Sequence, residues 1–252
     1  MKSKRAGKQT LLFTEPPRVI ASAAIVGELE GQGPLGGYFD EVLTDDTWGE
    51  ESWEKAERKM FEQSVRRALD KIGLESGDMD CLLGGDLLNQ IISANFAARE
   101  LKTPFLGLYG ACSTMAESLL IGSMLIDGGY AGRVACAATS HFCTAERQFR
   151  SPLEMGGQTT PTAQRTVTGA GSSILAYEGY TGKMLYGNVF ITAATIGRVV
   201  DLGITDTTNM GAAMAPAAAD TLCAHLSETG RSIRDYDLIV TCLLYTSPSP
   251  RD

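Results

Sequence analysis

The chain has 252 residues, of which 44% are hydrophobic, so it is long enough to build a full buried core. Its formal net charge of −8 argues against a nucleic-acid surface, because binding phosphates needs clustered lysine and arginine. No apolar run reaches the roughly 20 residues of a membrane-spanning helix, and the basic start MKSKRAGK lacks the apolar segment of a secretory signal. The six cysteines show no paired spacing, which favours a reducing, intracellular setting.

Strand and helix patterns alternate over residues 18–182, after a tail over residues 1–17 that we expect to be flexible. A capping box of Thr47 and Glu50 is predicted to open the first helix. The alternation predicts an α/β domain with a mostly parallel sheet. In chain order, the predicted elements are the strand RVIASAAIVG, a helix with an apolar stripe from Ala56 to Ile72, the strand in DMDCLLGGDLL, the helix SANFAARELK, the strand PFLGLYG, a helix from Ser113 to about Asp127, and the strands RVACAATSHF and SSILAYEG.

Residues 183–241 begin the pattern again. They predict a strand in YGNVFITAATIG, a helix in APAAADTLCAHLSETG and a strand in DYDLIV, which indicates an internal duplication whose second half is incomplete. Residues 242–252, CLLYTSPSPRD, change character abruptly and read as the translation of a sequencing-library adapter. We therefore expect Thr241 to be the last natural residue here and the natural protein to continue past it.

Several long segments carry a family resemblance. DMDCLLGGDLLNQ, FLGLYGACSTMAESLLIGSMLIDGG and TVTGAGSSILAYE resemble the nucleophile region and the glycine-rich segment of ketoacyl synthase III. RVIASAAIVGELEGQGPLGGYFD, SHFCTAERQFRSPLEMGGQTTPTAQRTVTGAG and GRVVDLGITDTTNMGAAMAPAAADT resemble the stage V sporulation protein AD family of spore-forming Firmicutes. The resemblance implies a thiolase-like α/β fold, layered αβαβα, with two duplicated halves.

The same resemblance implies a function and a setting. It implies non-catalytic binding of dipicolinic acid, or of its calcium chelate, for uptake into the spore, with no cofactor. It implies partners among the membrane proteins of the same sporulation operon, a homodimer, and a peripheral position at the forespore membrane inside the sporulating cell. The alternative is a thiolase-like or ketoacyl-synthase-like acyltransferase that takes a CoA thioester on Cys112. A third hypothesis is a dimeric scaffold that only anchors the membrane partners.

Cys112 stands where a strand ends and an apolar helix begins, and free N–H groups at a helix start stabilise a thiolate. Turnover also needs a histidine. The resemblance to ketoacyl synthase III implies that this histidine would follow DYDLIVT, where Cys242 stands here. Glu117, one helical turn after Thr114, is predicted either to form a capping box with it or to face the site of Cys112.

Dipicolinate is a flat aromatic dianion, so a site for it needs donors for two carboxylates and an apolar or aromatic wall. Cys112 and Ser113 at the helix start, with His141, Arg147 and Arg165, are the candidate ligand-binding residues. The alternative for each arginine is that it forms an ordinary surface ion pair and does not bind the ligand. His225 is predicted to be a packing residue.

If Arg147 or Arg165 holds the ligand, its replacement by alanine should weaken binding about tenfold.

No metal site is predicted, because Cys136, His141 and Cys143 do not have zinc-ligand spacing.

Overall fold

The computed structural model describes residues 4–149, 166–205 and 210–241. These residues form two compact units. The larger unit contains residues 15–149 and 166–191, and the smaller contains residues 4–14, 192–205 and 210–241. Among the described residues, no helix combines the length and the apolar character that crossing a membrane requires.

The larger unit is built on a six-stranded sheet with the strand order β3-β2-β7-β6-β4-β5. Its strands are β2 (Arg18–Val26), β3 (Glu41–Val42), β4 (Cys81–Gly85), β5 (Phe105–Gly107), β6 (Arg133–Ser140) and β7 (Gly169–Ala176). β2 pairs parallel with β3, and β4 pairs parallel with both β5 and β6. Only β7 runs antiparallel to its neighbours, β2 and β6. The prediction of a mostly parallel sheet is therefore confirmed.

β7 is antiparallel because its chain returns from the edge at which β6 ends. Ser140, the last residue of β6, pairs with Gly169, the first residue of β7. The intervening chain therefore starts and finishes at one edge of the sheet, whereas a parallel connection would have to cross to the other edge.

The described residues of the larger unit form five helices. They are α1 (Glu28–Gly31), α2 (Trp53–Asp70), α3 (Ile92–Leu101), α4 (Thr114–Asp127) and α5 (Phe142–Phe149). α2 buries one stripe against the sheet, with Met60, Phe61 and Val65 in the core.

α2 begins later than predicted. Its N-cap is Ser52, whose extended backbone lets Oγ accept a hydrogen bond from the Lys55 N–H at 3.3 Å. The predicted capping box of Thr47 and Glu50 is wrong. Thr47 instead donates its hydroxyl to Asp45, 2.8 Å away, in the loop before the helix.

The smaller unit differs from the sequence predictions. β1 (Thr10–Leu12), which falls inside the predicted flexible tail, pairs antiparallel with β8 (Ala193–Thr195). Glu228 of α6 (Met210–Thr229) accepts hydrogen bonds from the backbone N–H groups of Lys8 and Thr10 at 2.8 and 2.7 Å, which holds this strand in place.

The predicted strand DYDLIV is not formed. A short 3₁₀ turn occupies Ile233–Asp235 instead, and residues 236–241 have no strand partner within the described part of the chain. Leu238 and Val240 are 76% and 72% exposed, so this apolar run has no layer to pack against among the described residues. A strand needs a neighbouring ladder as well as an apolar pattern.

We predict that Phe61→Ala lowers the free energy of unfolding by about 3–5 kcal/mol, because the ring is fully buried between α2 and the sheet. Phe96→Ala on α3 is the matched control, since its ring is 45% exposed, and should cost about 1 kcal/mol or less. Urea denaturation followed by circular dichroism measures both. Equal losses would contradict this description of the core.

Candidate functional site at the carboxyl edge of the sheet

Several candidate residues lie at one edge of the six-stranded sheet. β4, β5 and β6 are mutually parallel, so the segments that follow them emerge at the same edge. These segments carry Asp86, Cys112 and His141, respectively. Binding sites of open α/β sheets lie outside the carboxyl ends of the strands. The topology therefore gathers chemistry-bearing residues where a ligand site is expected.

Cys112 lies in a tight turn that leads into α4. A 3₁₀ turn spans Ala111–Ser113, and Ala111 has a φ of 48°, which is unusual for a residue with a side chain. Ser113 donates both its N–H and its hydroxyl to the carbonyl of Gly110, at 3.0 and 2.9 Å. Cys112 and Ser113 are both exposed. The turn thus presents the thiol and the helix start to solvent.

The predicted capping box of Thr114 and Glu117 is wrong. Ser113 occupies the cap position, with helical backbone angles and no side-chain cap. Thr114 is the first residue of the helix, and its buried hydroxyl has no hydrogen-bond partner among the described residues. A capping side chain needs an extended backbone at its own position, which Thr114 does not have.

The Glu117 carboxylate lies against the turn instead. A Cβ built on Gly110 would approach Glu117 Oε2 to 2.4 Å and Ser113 Oγ to 2.5 Å. Glycine at this position is therefore what allows the carboxylate to reach the turn. The Glu117 side chain is half-buried, and the alternative prediction, a position facing the site of Cys112, stays a prediction.

His141 is a buried residue whose two ring nitrogens are both engaged. Nε2 donates to the carbonyl of Asp46 at 2.7 Å, and Nδ1 accepts the Cys143 N–H at 3.1 Å. The ring stacks on Trp53 with 6.5 Å between centroids. A carbonyl only accepts and an N–H only donates, so this set selects one neutral tautomer. The contacts are those of a packed structural histidine, and contact with a ligand stays a prediction.

Arg147 has partners of its own. Its guanidinium pairs with Glu54 and lies 5.6 Å from the centre of the Trp53 ring. Together with Thr47 and Ser52, these residues line a shallow surface pocket. The pocket offers a cation and an aromatic face, but its cation is already paired with a carboxylate. Arg165 lies outside the described residues.

The cysteines of the larger unit fall into different environments. Cys136 is fully buried on β6, where its thiol donates to the carbonyl of Ser118 at 3.3 Å and burial raises its pKa. Burial also raises the pKa of Cys81. Within the described ranges, no three His, Cys, Asp or Glu side chains are gathered in a way that would hold a metal ion.

Two buried acids at this edge were not among the predicted site residues. Glu57 of α2 is fully buried, and desolvation raises its pKa to about 8. Asp86 is also buried, which raises its pKa, and it accepts the N–H groups of Leu88 and Ala94, both at 2.7 Å. A signal for Glu57 is present in the sequence, because it falls within the apolar stripe of α2 between Ala56 and Met60.

His225 belongs to the smaller unit and is tied into a chain of hydroxyls. Its Nδ1 lies 2.7 Å from Thr195 Oγ1, and its Nε2 lies 2.5 Å from the Tyr236 hydroxyl. Burial, followed by the charge of Arg231, lowers its pKa. These contacts agree with the predicted packing role.

Comparison with solved structures shows the fold of the chain. The chain aligns with a variant of Xanthomonas campestris OleA bound with cerulenin at a TM-score of 0.62, with 13% identity over 90% of this chain and 74% of that one. It aligns with 3-oxoacyl-(acyl carrier protein) synthase III from Pseudomonas aeruginosa at 0.52, with 12% identity over 87% of this chain and 73% of that one. The predicted thiolase-like α/β fold is confirmed.

Sequence comparison identifies one particular family among the proteins that share this fold. The family profile described as Stage V sporulation protein AD matches residues 7–247. Stage V sporulation protein AD of Bacillus subtilis is 48% identical over 238 residues, which cover 94% of this chain and 68% of that protein. The chain therefore belongs to the stage V sporulation protein AD family, as predicted.

We predict that thiol reactivity separates the cysteines of the folded chain. Iodoacetamide should label Cys112 and Cys223, which are exposed, well before Cys136, whose burial both blocks access and disfavours the thiolate. Peptide mapping by mass spectrometry at increasing times measures this order. In denaturant the difference should disappear, and early labelling of Cys136 in buffer would contradict the described packing.

Proposed function

We propose that this protein binds dipicolinic acid, or its calcium chelate, at the carboxyl edge of the sheet beside the start of α4, and that it does not turn the ligand over. Membership of a sporulation family is the context for this proposal. The site residues are Cys112, Ser113 and Glu117, with Arg147 and Arg165 as further candidates.

The observation that carries the proposal concerns the histidines. The sequence contains two of them, His141 and His225, and both ring nitrogens of each are engaged by other groups of the protein. A cysteine nucleophile is normally activated by an adjacent base with a ring nitrogen to spare. Neither His141 nor His225 meets this condition, so neither of them supports turnover by Cys112.

The start of α4 is the positive end of a helix dipole, which attracts an anionic carboxylate. The N–H groups of Ser113 and Thr114 already donate to the carbonyls of Gly110 and Ala111, so the dipole is the feature that supports a ligand here. Ser113 is exposed there, and Glu117 adds an oxygen ligand that suits a calcium ion. The free dianion and the calcium chelate should therefore respond in opposite ways to the charge of Glu117.

The setting is also part of the proposal. We infer a homodimer that associates peripherally with the membrane proteins encoded by the same sporulation operon, at the forespore membrane. The support is family membership alone. A protein that only anchors these partners would bind no dipicolinate, so the binding measurement below also tests this third hypothesis.

Acyl transfer is the second candidate function, and the exposure of Cys112 at a helix start is the observation that favours it. In this reaction the Cys112 thiolate would attack an acyl-CoA carbonyl. The acyl–sulfur bond to the enzyme would form as the bond to CoA breaks, and the CoA thiolate would leave and take up a proton.

We predict that Glu117→Gln binds free dipicolinate about threefold to tenfold more tightly, because one negative charge next to the dianion is removed. The same variant should bind the calcium chelate more weakly. Isothermal titration calorimetry with dipicolinate, with and without calcium, measures both effects.

Glu178→Gln is the matched control for this change. Glu178 is an exposed acid just after β7, at the opposite edge of the sheet, and its replacement should leave both affinities unchanged. An unchanged affinity in Glu117→Gln would remove the start of α4 from the site. No binding in the parent protein would refute the proposal itself.

We predict that the intact mass of the protein stays unchanged after incubation with acyl-CoA. A stable mass increase of one acyl group that is absent in Cys112→Ser and retained in Cys223→Ser would establish acyl transfer instead. Cys223 is the control because it is also exposed but lies on α6 of the smaller unit.

A further inference from the structure

α5 packs on α2 through two side-chain pairs that lie one turn apart on each helix. Thr144 of α5 meets Glu57 of α2, with 2.8 Å between Thr144 Oγ1 and Glu57 Oε2. One turn further along α5, Arg147 pairs with Glu54, which lies one turn earlier on α2. The Arg147–Glu54 pair is partly exposed and therefore contributes little. The buried pair of Glu57 and Thr144 is the stronger constraint.

The hydrogen-bond geometry of this buried pair is compatible with a proton on Glu57, because Thr144 has two acceptors within reach. Thr144 Oγ1 also lies 3.0 Å from the carbonyl oxygen of His141. A hydroxyl has one proton to donate, and a carbonyl oxygen can only accept. If Thr144 donates to His141, the contact with Glu57 is a hydrogen bond only when the acid donates.

The opposite arrangement leaves a buried charge poorly compensated. If Thr144 donated to an ionised Glu57, the second carboxylate oxygen, Oε1, would stay buried with no hydrogen-bond partner among the described residues. Leaving a buried charged group unpaired is costly, and a neutral acid avoids that cost.

Burial, the largest effect, and a neighbouring acid oppose the ionisation of Glu57, and together they outweigh the two nearby hydroxyls, which favour it. Glu57 is 0% exposed, and the acid that faces it from the end of β4 is Asp86. From α3 it is faced by the hydroxyl of Ser93, and from α5 by that of Thr144. The cations Arg147 of α5 and Arg58 of α2 pair with other acids, since Arg147 contacts Glu54 and Arg58 lies 4.0 Å from Glu50.

We propose that Glu57 is a positioning residue that holds α5 on α2 as a neutral acid, donating its proton to Thr144, and that ionisation of Glu57 loosens α5. Because α5 also carries Arg147, the proposal makes the placement of this candidate ligand residue sensitive to alkaline pH. It stands on contacts within the larger unit and does not depend on the identity of the ligand.

The expected dependence of stability on pH follows from the two protonation states. Burial raises the pKa of Glu57 from 4.5 to about 8, so between these values the folded state keeps a proton that the unfolded state has lost. Stability therefore falls as pH rises from about 4.5 to about 8, and this contribution is constant above that range.

Glu57→Gln tests the proposal, because glutamine is neutral at every pH and its amide can donate to Thr144. The Tm of the variant minus that of the parent should increase steadily from pH 5 to pH 8 and then level off. Glu62→Gln is the matched control on the same helix, where Glu62 pairs with Arg66, and it should show no such increase.

Two further measurements report on protonation and on position. In carboxyl-labelled parent protein, one glutamate NMR resonance should titrate near pH 8 and be missing from Glu57→Gln. Thr144→Val removes the acceptor, so amide exchange over Ala145–Phe149 should become about tenfold faster at neutral pH, while Glu57→Gln stays protected.

The proposal is overturned if the Glu57 resonance titrates near its ordinary value, or if the parent and Glu57→Gln lose stability in parallel as pH rises. It is also overturned if α5 exchanges equally slowly in Thr144→Val. Should Glu57→Gln not fold, the resonance in the parent and exchange in Thr144→Val still decide the matter.

Discussion

The parallel pairing of β4 with β5 and β6 is the constraint on which the rest of the larger unit depends. It brings the chain out of three neighbouring strands at one edge, so the buried acid Asp86, the turn of Cys112 and the buried ring of His141 share that edge. The hydrogen bonds of the ladder set this arrangement, and the side chains only have to occupy it. Interrupting these ladders would separate the candidate site into unrelated loops.

The edge divides into an exposed part and a buried part with different physical roles. Cys112 and Ser113 face solvent at the start of α4, where the helix attracts anions. The buried side chains are those of His141, Glu57 and Asp86. Their polar atoms form hydrogen bonds mainly with other groups of the protein. An exposed cysteine at this edge is compatible with ligand binding and with acyl transfer alike. The fold alone would not separate these functions.

Local sequence patterns were reliable for predicting secondary-structure elements and unreliable for predicting side-chain contacts. The alternation of strands and helices is sufficient to predict an α/β domain, and the apolar stripe of α2 is sufficient to predict its buried face. The capping boxes failed, because Thr47 and Thr114 have the right spacing but their backbones do not adopt a cap conformation at the helix start. The strand predicted in DYDLIV failed because its apolar pattern has no neighbouring ladder among the described residues.

The sequence by itself determined the family, the α/β class and the position of Cys112 before an apolar helix, because these depend on residue order and local periodicity. Only the tertiary structure decided that Glu57 is a buried acid beside Thr144, that both nitrogens of His141 are engaged, and that Arg147 is paired with Glu54. Each of these contacts joins residues distant in the chain or depends on burial, and neither burial nor a distant partner is encoded in local spacing.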